Sequence, residues 1–126
     1  MNYNKLTLII PKINFKKSFS STSTLSDNIK LHEKSIMPNN EKSVLFILGH
    51  SGYGANAYFN DLFDLNINDI IYLKYYGKIY KYEIVDFEYI EKGKKYSFNF
   101  DENNLYLITC DKFNLRKQYV INSRKL

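Results

Sequence analysis

Apolar residues along this chain come in short runs broken by turn-forming residues, and few of the runs keep a helical period. Leu6–Ile10, continued through Pro11-Lys12-Ile13-Asn14-Phe15, reads as an opening strand in which Pro11 marks an edge or a bulge. Ser18–Ser26 is rich in Ser and Thr without an apolar period and is expected to be a loop. Asp27–His32 is expected to hold a helical turn capped by Ser26 or Asp27. Met37-Pro38-Asn39-Asn40 turns the chain into a strand at Val44–Leu48, which ends in Gly49-His50-Ser51-Gly52. Glycines permit a tight or mobile loop over Ser51–Asn56. Phe59, Leu62, Phe63 and Leu65 then fit a short helix over Ala57–Leu65, and Asn66–Asp69 turns. Ile70–Tyr76 pairs with Lys78–Val85 across Gly77 as a hairpin. Val85–Asn104 is less regular and reads as a long connection holding Tyr89-Ile90 and Tyr96-Ser97-Phe98. Leu105–Cys110 and Gln118–Asn122 make the last two strands, antiparallel neighbours joined through Asp111–Leu115. The sum is a mainly β domain of about seven or eight strands with one or two short helices, most simply closed into a barrel.

Composition agrees. A chain of 126 residues can bury one core, so residues 1–126 are expected to form a single domain. Hydrophobic residues make up 44%, too many for disorder, and the 12 Tyr and 9 Phe favour strands. The formal charge of +5 could draw nucleic acid, an anionic membrane or an anionic wall polymer. The lysines are scattered along the sequence, which favours a solvated surface. One cysteine excludes an internal disulfide and a cysteine-based zinc cluster. Asp86, Glu88, Glu91 and Asp101 are dispersed and read as solvated surface charge, so the sequence itself points to no metal site and names no cofactor. No stretch approaches the roughly 20 apolar residues of a membrane span, so any anchor is expected to be absent from this chain.

Three residues carry candidate chemistry. Cys110 ends an apolar strand, His50 follows another, and Arg116 comes shortly after the cysteine. Singly, each has a plain reading: an inert buried thiol, a histidine satisfying a backbone carbonyl, a surface charge. His32 lies in a polar segment and is assigned no role. Together the three suit a cysteine nucleophile. An unperturbed thiol, pKa about 8.5, is only a few per cent thiolate at pH 7, and a nearby imidazolium or guanidinium stabilises the anion. Acyl transfer also needs a donor for the developing oxyanion, which Arg supplies directionally.

In this order these residues resemble the sortases, the cysteine transpeptidases of Gram-positive cell surfaces. Leu107-Ile108-Thr109-Cys110 matches all but the first position of the signature Thr-Leu-x-Thr-Cys, where this chain has Tyr106. Leu48-Gly49-His50 is similar to the family's Ala-Gly-His, and Arg116 before Lys117-Gln118-Tyr119-Val120 to its arginine. Ile10-Pro11-Lys12-Ile13, His32-Glu33 through Met37-Pro38, and Phe59-Asn60-Asp61-Leu62 through Asn68-Asp69-Ile70-Ile71 resemble its framing segments. The resemblance implies a closed eight-stranded β-barrel at the extracellular face of the cell membrane, with the anchor outside this chain. It also implies cleavage of an LPXTG-like sorting signal through a thioester on Cys110. An amine of a cell-wall precursor or a pilin then accepts the acyl group. His50 would act as the acid, Arg116 would hold the oxyanion or substrate carbonyls, and Thr109 would orient the substrate. Ile90, Tyr96 and Phe98 would either contact the signal or pack the barrel, and packing is the expectation.

Two other readings stand beside this one. A small basic β-barrel could bind single-stranded nucleic acid, since Lys and aromatic residues alternate from Tyr72 to Tyr82; an amphipathic hairpin gives the same pattern. Alternatively, a sortase-like domain could keep the geometry with little activity. The sortase reading expects no nucleic-acid partner.

Overall fold

Alternation of β-branched and aromatic residues with polar ones drives most of this chain into strands. The computed structural model describes residues 5–22, 29–49, 59–91, 103–110 and 117–126, with residues 60 and 110 by backbone alone. Eight strands result: β1 Lys5–Ile10, β2 Phe15–Ser20, β3 Ile29–Leu31, β4 Val44–Gly49, β5 Ile70–Tyr75, β6 Lys78–Glu91, β7 Asn104–Cys110 and β8 Lys117–Lys125. They form one sheet in the order β2-β1-β5-β6-β8-β7-β4-β3. The outer strands β2 and β3 touch, so the sheet nearly closes into a barrel. Every described strand pair is antiparallel except β4 with β7, which run parallel.

The barrel interior is filled by inward positions of all eight strands. Leu6, Leu8, Leu45, Ile47, Leu73 and Leu107 are fully buried there. Each such side chain contributes about 1.5–3 kcal/mol relative to exposure. The β5–β6 hairpin turns at Tyr76 and Gly77, whose φ values of 56° and 72° are both left-handed. A two-residue turn of this kind matches the right-handed twist of the flanking strands.

Several sequence expectations are corrected. Pro11 marks neither an edge nor a bulge. It opens a 3-10 turn over Pro11–Ile13, where its missing N–H costs nothing, and β1 lies between β2 and β5. Phe15 does not prolong β1 but starts β2, which folds back on it. Ser18–Ser20 are therefore strand, not loop: Ser18 pairs with Thr7, and their hydroxyls share a hydrogen bond of 2.8 Å. Ile29–Leu31 is β3 in place of a helical turn, because pairing with β4 sends Ile29 and Leu31 into the core. The predicted helix at Ala57–Leu65 is a 3-10 turn, Asn60–Asp64. Its buried residues Phe59, Leu62 and Leu65 are three apart, the period of that turn.

The largest correction concerns Val85–Asn104, whose first part is not a connection. β6 runs on to Glu91 against β8, with a bulge between Ile84 and Asp86. Before the bulge Tyr80, Tyr82 and Ile84 face inward. After it Phe87 packs on the inner core and Ile90 on the outer face. One extra residue inverts the alternation, which is why the run looks irregular in sequence. The predicted loop at Ser51–Asn56, the link Asp111–Leu115 and the Tyr96-Ser97-Phe98 stretch lie outside the described residues. Among the described residues no helix is long and apolar enough to cross a membrane.

Tyr82 is fully buried, and its hydroxyl has no hydrogen-bond partner among the described residues. Burial, with the Tyr80 phenol beside it, raises its pKa far above the usual value. An orphaned buried hydroxyl costs roughly 1–3 kcal/mol. Tyr82→Phe keeps the ring and removes the orphan, so it is expected to raise stability by about 1 kcal/mol. Urea midpoints of parent and variant check this, and a lower midpoint in the variant would contradict it.

Candidate active site

Because β4 and β7 are parallel, their C-terminal ends emerge at the same mouth of the barrel. β8 is antiparallel to β7, so its first residues start at that mouth too. The register is explicit: Leu48 pairs with Ile108, Cys110 with Gln118, and Gln118 with Ile90. Gly49 closes β4 directly before His50, Cys110 closes β7, and Lys117 opens β8 directly after Arg116. His50 and Arg116 themselves lie outside the described residues, as does Tyr96. Cys110 is placed by its backbone.

The strands that meet at this mouth bury apolar residues on both faces. Inward go Leu45, Ile47, Leu105 and Leu107. Outward, a second cluster of Val44, Phe46, Tyr106, Ile108 and Val120 is buried, with Leu48 and Ile90 half-buried against it. Phe46 and Tyr106 stack with ring centroids 5.1 Å apart. The near-continuous apolar runs Val44–Leu48 and Leu105–Ile108 signal a strand covered on both sides. His32 belongs to the cover: its ring stands edge-on to Phe46 at 6.1 Å, and its backbone N–H donates to the Phe46 carbonyl at 2.8 Å. Its Nδ1 accepts the Lys34 amide at 3.1 Å.

Ile90 therefore packs, but on the outer cluster and not in the barrel interior. It sits on β6 beside the Gln118–Cys110 pair. Thr109 is opposite Tyr119 and only 2% exposed, and its hydroxyl has no hydrogen-bond partner among the described residues. Tyr119 anchors an aromatic cluster at this end: Phe63 stacks on it at 4.7 Å, Phe87 lies parallel at 5.8 Å, and Tyr89 is 5.0 Å away. Burial, then the neighbouring Tyr89 phenol, pushes the Tyr119 pKa up to about 12. Among the described residues no group of His, Cys, Asp or Glu could hold a metal ion.

The residue that sequence reasoning undervalued is Phe59. It is fully buried, and its ring lies on the backbone of Gly49. A Cβ built on Gly49 would be 2.5 Å from the Phe59 Cδ2, a separation real atoms do not tolerate. The glycine ahead of His50 is thus a matter of space, since the ring occupies the volume of a side chain. In sequence, Phe59 shows only as one apolar position of a helix-like run.

Two outcomes follow. Gly49→Ala is expected to cost about 1–3 kcal/mol by overpacking. Adding Phe59→Leu should recover part of that loss, so a double-mutant cycle in urea should show favourable coupling. Strictly additive losses would refute the contact. For Tyr119, the unfolded phenol loses its proton near 10.0 while the folded one keeps it to about 12. Stability should accordingly be full below pH 10 and fall between about 10 and 12, with a shallower fall in Tyr119→Phe. Urea midpoints across that pH range check the sign.

Comparison with known proteins agrees with this architecture. The Sortase domain family pattern matches residues 7–125. No curated protein matches the chain in sequence. Among solved structures, a lid mutant of sortase A from Corynebacterium diphtheriae superposes with a TM-score of 0.83 at 21% identity, covering 98% of this chain and 70% of that one. Sortase C-1 from Actinomyces oris gives 0.81 at 18% identity, covering 96% and 73%. Sortase C1 from Streptococcus suis gives 0.86 at 17% identity, covering 98% and 74%. At these identities the superpositions speak for the fold, while the domain pattern runs through nearly the whole sequence: the chain belongs to the sortase family.

Proposed function

We propose that residues 1–126 act as one catalytic domain, a cysteine transpeptidase that cleaves an LPXTG-like sorting signal with Cys110, His50 and Arg116. The observation that carries this reading is the parallel β4–β7 register. It pairs Leu48 with Ile108, each two residues short of the proposed His and Cys, while β8 begins one residue after the proposed Arg. Beside them Leu48 and Ile90, half-buried at the margin of the outer apolar cluster, offer an extended peptide apolar contact, and the buried cluster beneath holds them in place. Even positions of β7, Tyr106 and Ile108, belong to that outer cluster, and position 110 continues their parity.

The Cys110 sulfur, as thiolate, attacks the Thr carbonyl carbon of the Thr–Gly bond, and Arg116 stabilises the oxyanion. The C–N bond breaks as His50 gives its proton to the leaving Gly amine. A thioester remains on Cys110. An amine from a cell-wall precursor or a pilin then attacks it, His50 takes that amine's proton, and the thiolate is released. Thr109 orients the substrate, and Ile90 and Tyr96 line its path. In this reading the enzyme works at the extracellular face of the cell membrane, on signals carried by surface proteins.

The test is turnover of a quenched LPXTG-type peptide with an added amine. Cys110→Ala and His50→Ala should each lower kcat/KM by at least about a thousandfold. Arg116→Ala should lower it by roughly a hundredfold or more. Cleavage that persists in Cys110→Ala, or a panel of sorting peptides left intact by the parent, would overturn the proposal.

A further inference from the structure

The lysines that look scattered in sequence are gathered by the fold. Two adjacent rows cross the outside of the sheet from β2 to β6. One runs Lys16, Ile9, Tyr72, Lys81 and the next runs Ser18, Thr7, Lys74, Ile79. Lys5 continues this face where β1 begins, beside the β5–β6 turn. Lys5, Lys16, Lys74 and Lys81 are all exposed, and none of them is in a salt bridge among the described residues. No acidic residue occurs in either row. Glu83, at the border, lies opposite Arg124.

The same face exposes apolar surface that a solvated wall does not need. Ile79 is 58% exposed between lysines, and Tyr76 at the turn is 49% exposed. Tyr76 also holds a left-handed backbone, φ 56°, at a position where Asn or Gly is the easier occupant. Its ring stands against Tyr75 at 4.7 Å, which fixes it at the tip. Inward, the aromatic residues that alternate with these lysines are core: Tyr75, Tyr80 and Tyr82 are buried. The Tyr72–Tyr82 alternation is thus an amphipathic hairpin with a cationic outer face, and it leaves few rings outside on which bases could stack.

We propose that this face is a docking surface for an anionic lipid bilayer. Lysines on this wall of the barrel meet the negative headgroups, and Ile79 and Tyr76 enter the interfacial layer, where aliphatic and amphipathic aromatic side chains are favoured. A soluble polyanion satisfies the charges but gives no use for the apolar pair, and this decides between the two. In the strand order, β5 and β4 are four places apart in a sheet of eight. The docked domain therefore turns the outer cluster of β4 and β7 away from the lipid. The proposal does not rest on the catalytic reading.

The experiment is co-sedimentation of the whole chain with vesicles of equal parts phosphatidylglycerol and phosphatidylcholine, against vesicles of phosphatidylcholine alone. Binding is expected to the first only, and to weaken with added salt. Lys74→Glu with Lys81→Glu should weaken it at least about tenfold. Lys34→Glu with Lys42→Glu changes the net charge equally but lies on the segment between β3 and β4, and should leave binding intact. Ile79→Ser with Tyr76→Asn should weaken binding several-fold while the thermal midpoint stays at or above that of the Lys34/Lys42 variant. The proposal is overturned by no vesicle binding, or by equal loss in both charge-reversed pairs. It is also overturned if the Ile79/Tyr76 variant binds like the parent while an oligonucleotide or polyphosphate competes fully.

Discussion

The parallel contact between β4 and β7 is the constraint on which the site depends. In an antiparallel barrel neighbouring strands end at opposite mouths, so the C-terminal residues of two adjacent strands never meet. One parallel pair breaks that rule and brings the ends of β4 and β7 together. A parallel pair cannot be joined by a tight turn; it needs a long crossover. Here the crossover contains the 3-10 turn and the β5–β6 hairpin, which pairs elsewhere in the sheet. The sequence distance between His50 and Cys110 follows from this topology.

The crossover also does work at the mouth. Phe59, just before the 3-10 turn, lies on Gly49, and Phe63 within the turn stacks on Tyr119. Both contacts tie the same short turn to strands that end or begin beside the proposed catalytic residues. Burying strands on both faces has a second effect. The outer cluster keeps β4 and β7 flat against their cover, with the Phe46–Tyr106 stack spanning the pair. A site built on strands packed this way holds its geometry more closely than one built on loops alone.

The fold was largely legible where one periodicity ran unbroken. Val44–Leu48, Leu105–Cys110 and the Gly77 hairpin are in the structure as the sequence reading has them. It failed where a local signal was overridden. Ile29–Leu31 is too short to declare itself a strand and becomes one only through β4. At Val85 a single bulged residue reverses the alternation, so the longest strand in the barrel has the sequence pattern of a connection. Of the proposed site, Cys110, His50 and Arg116 and their order are visible in the sequence as motifs. The Phe59–Gly49 contact is not, because nine residues of chain separate a glycine from the ring that fills its side-chain volume.

The sequence by itself determined the class of fold, the identity of the one possible thiol and the family resemblance. These follow from local chemistry: side-chain shape sets strand preference, and residue type sets reactivity. Only the tertiary structure decided which strands are neighbours and which lysines share a face. Neighbour choice is a property of the whole sheet, since each pairing must bury apolar surface and satisfy backbone hydrogen bonds together with all the others. Charges distant in sequence met on one wall for that reason, and strand ends distant in sequence met at one mouth.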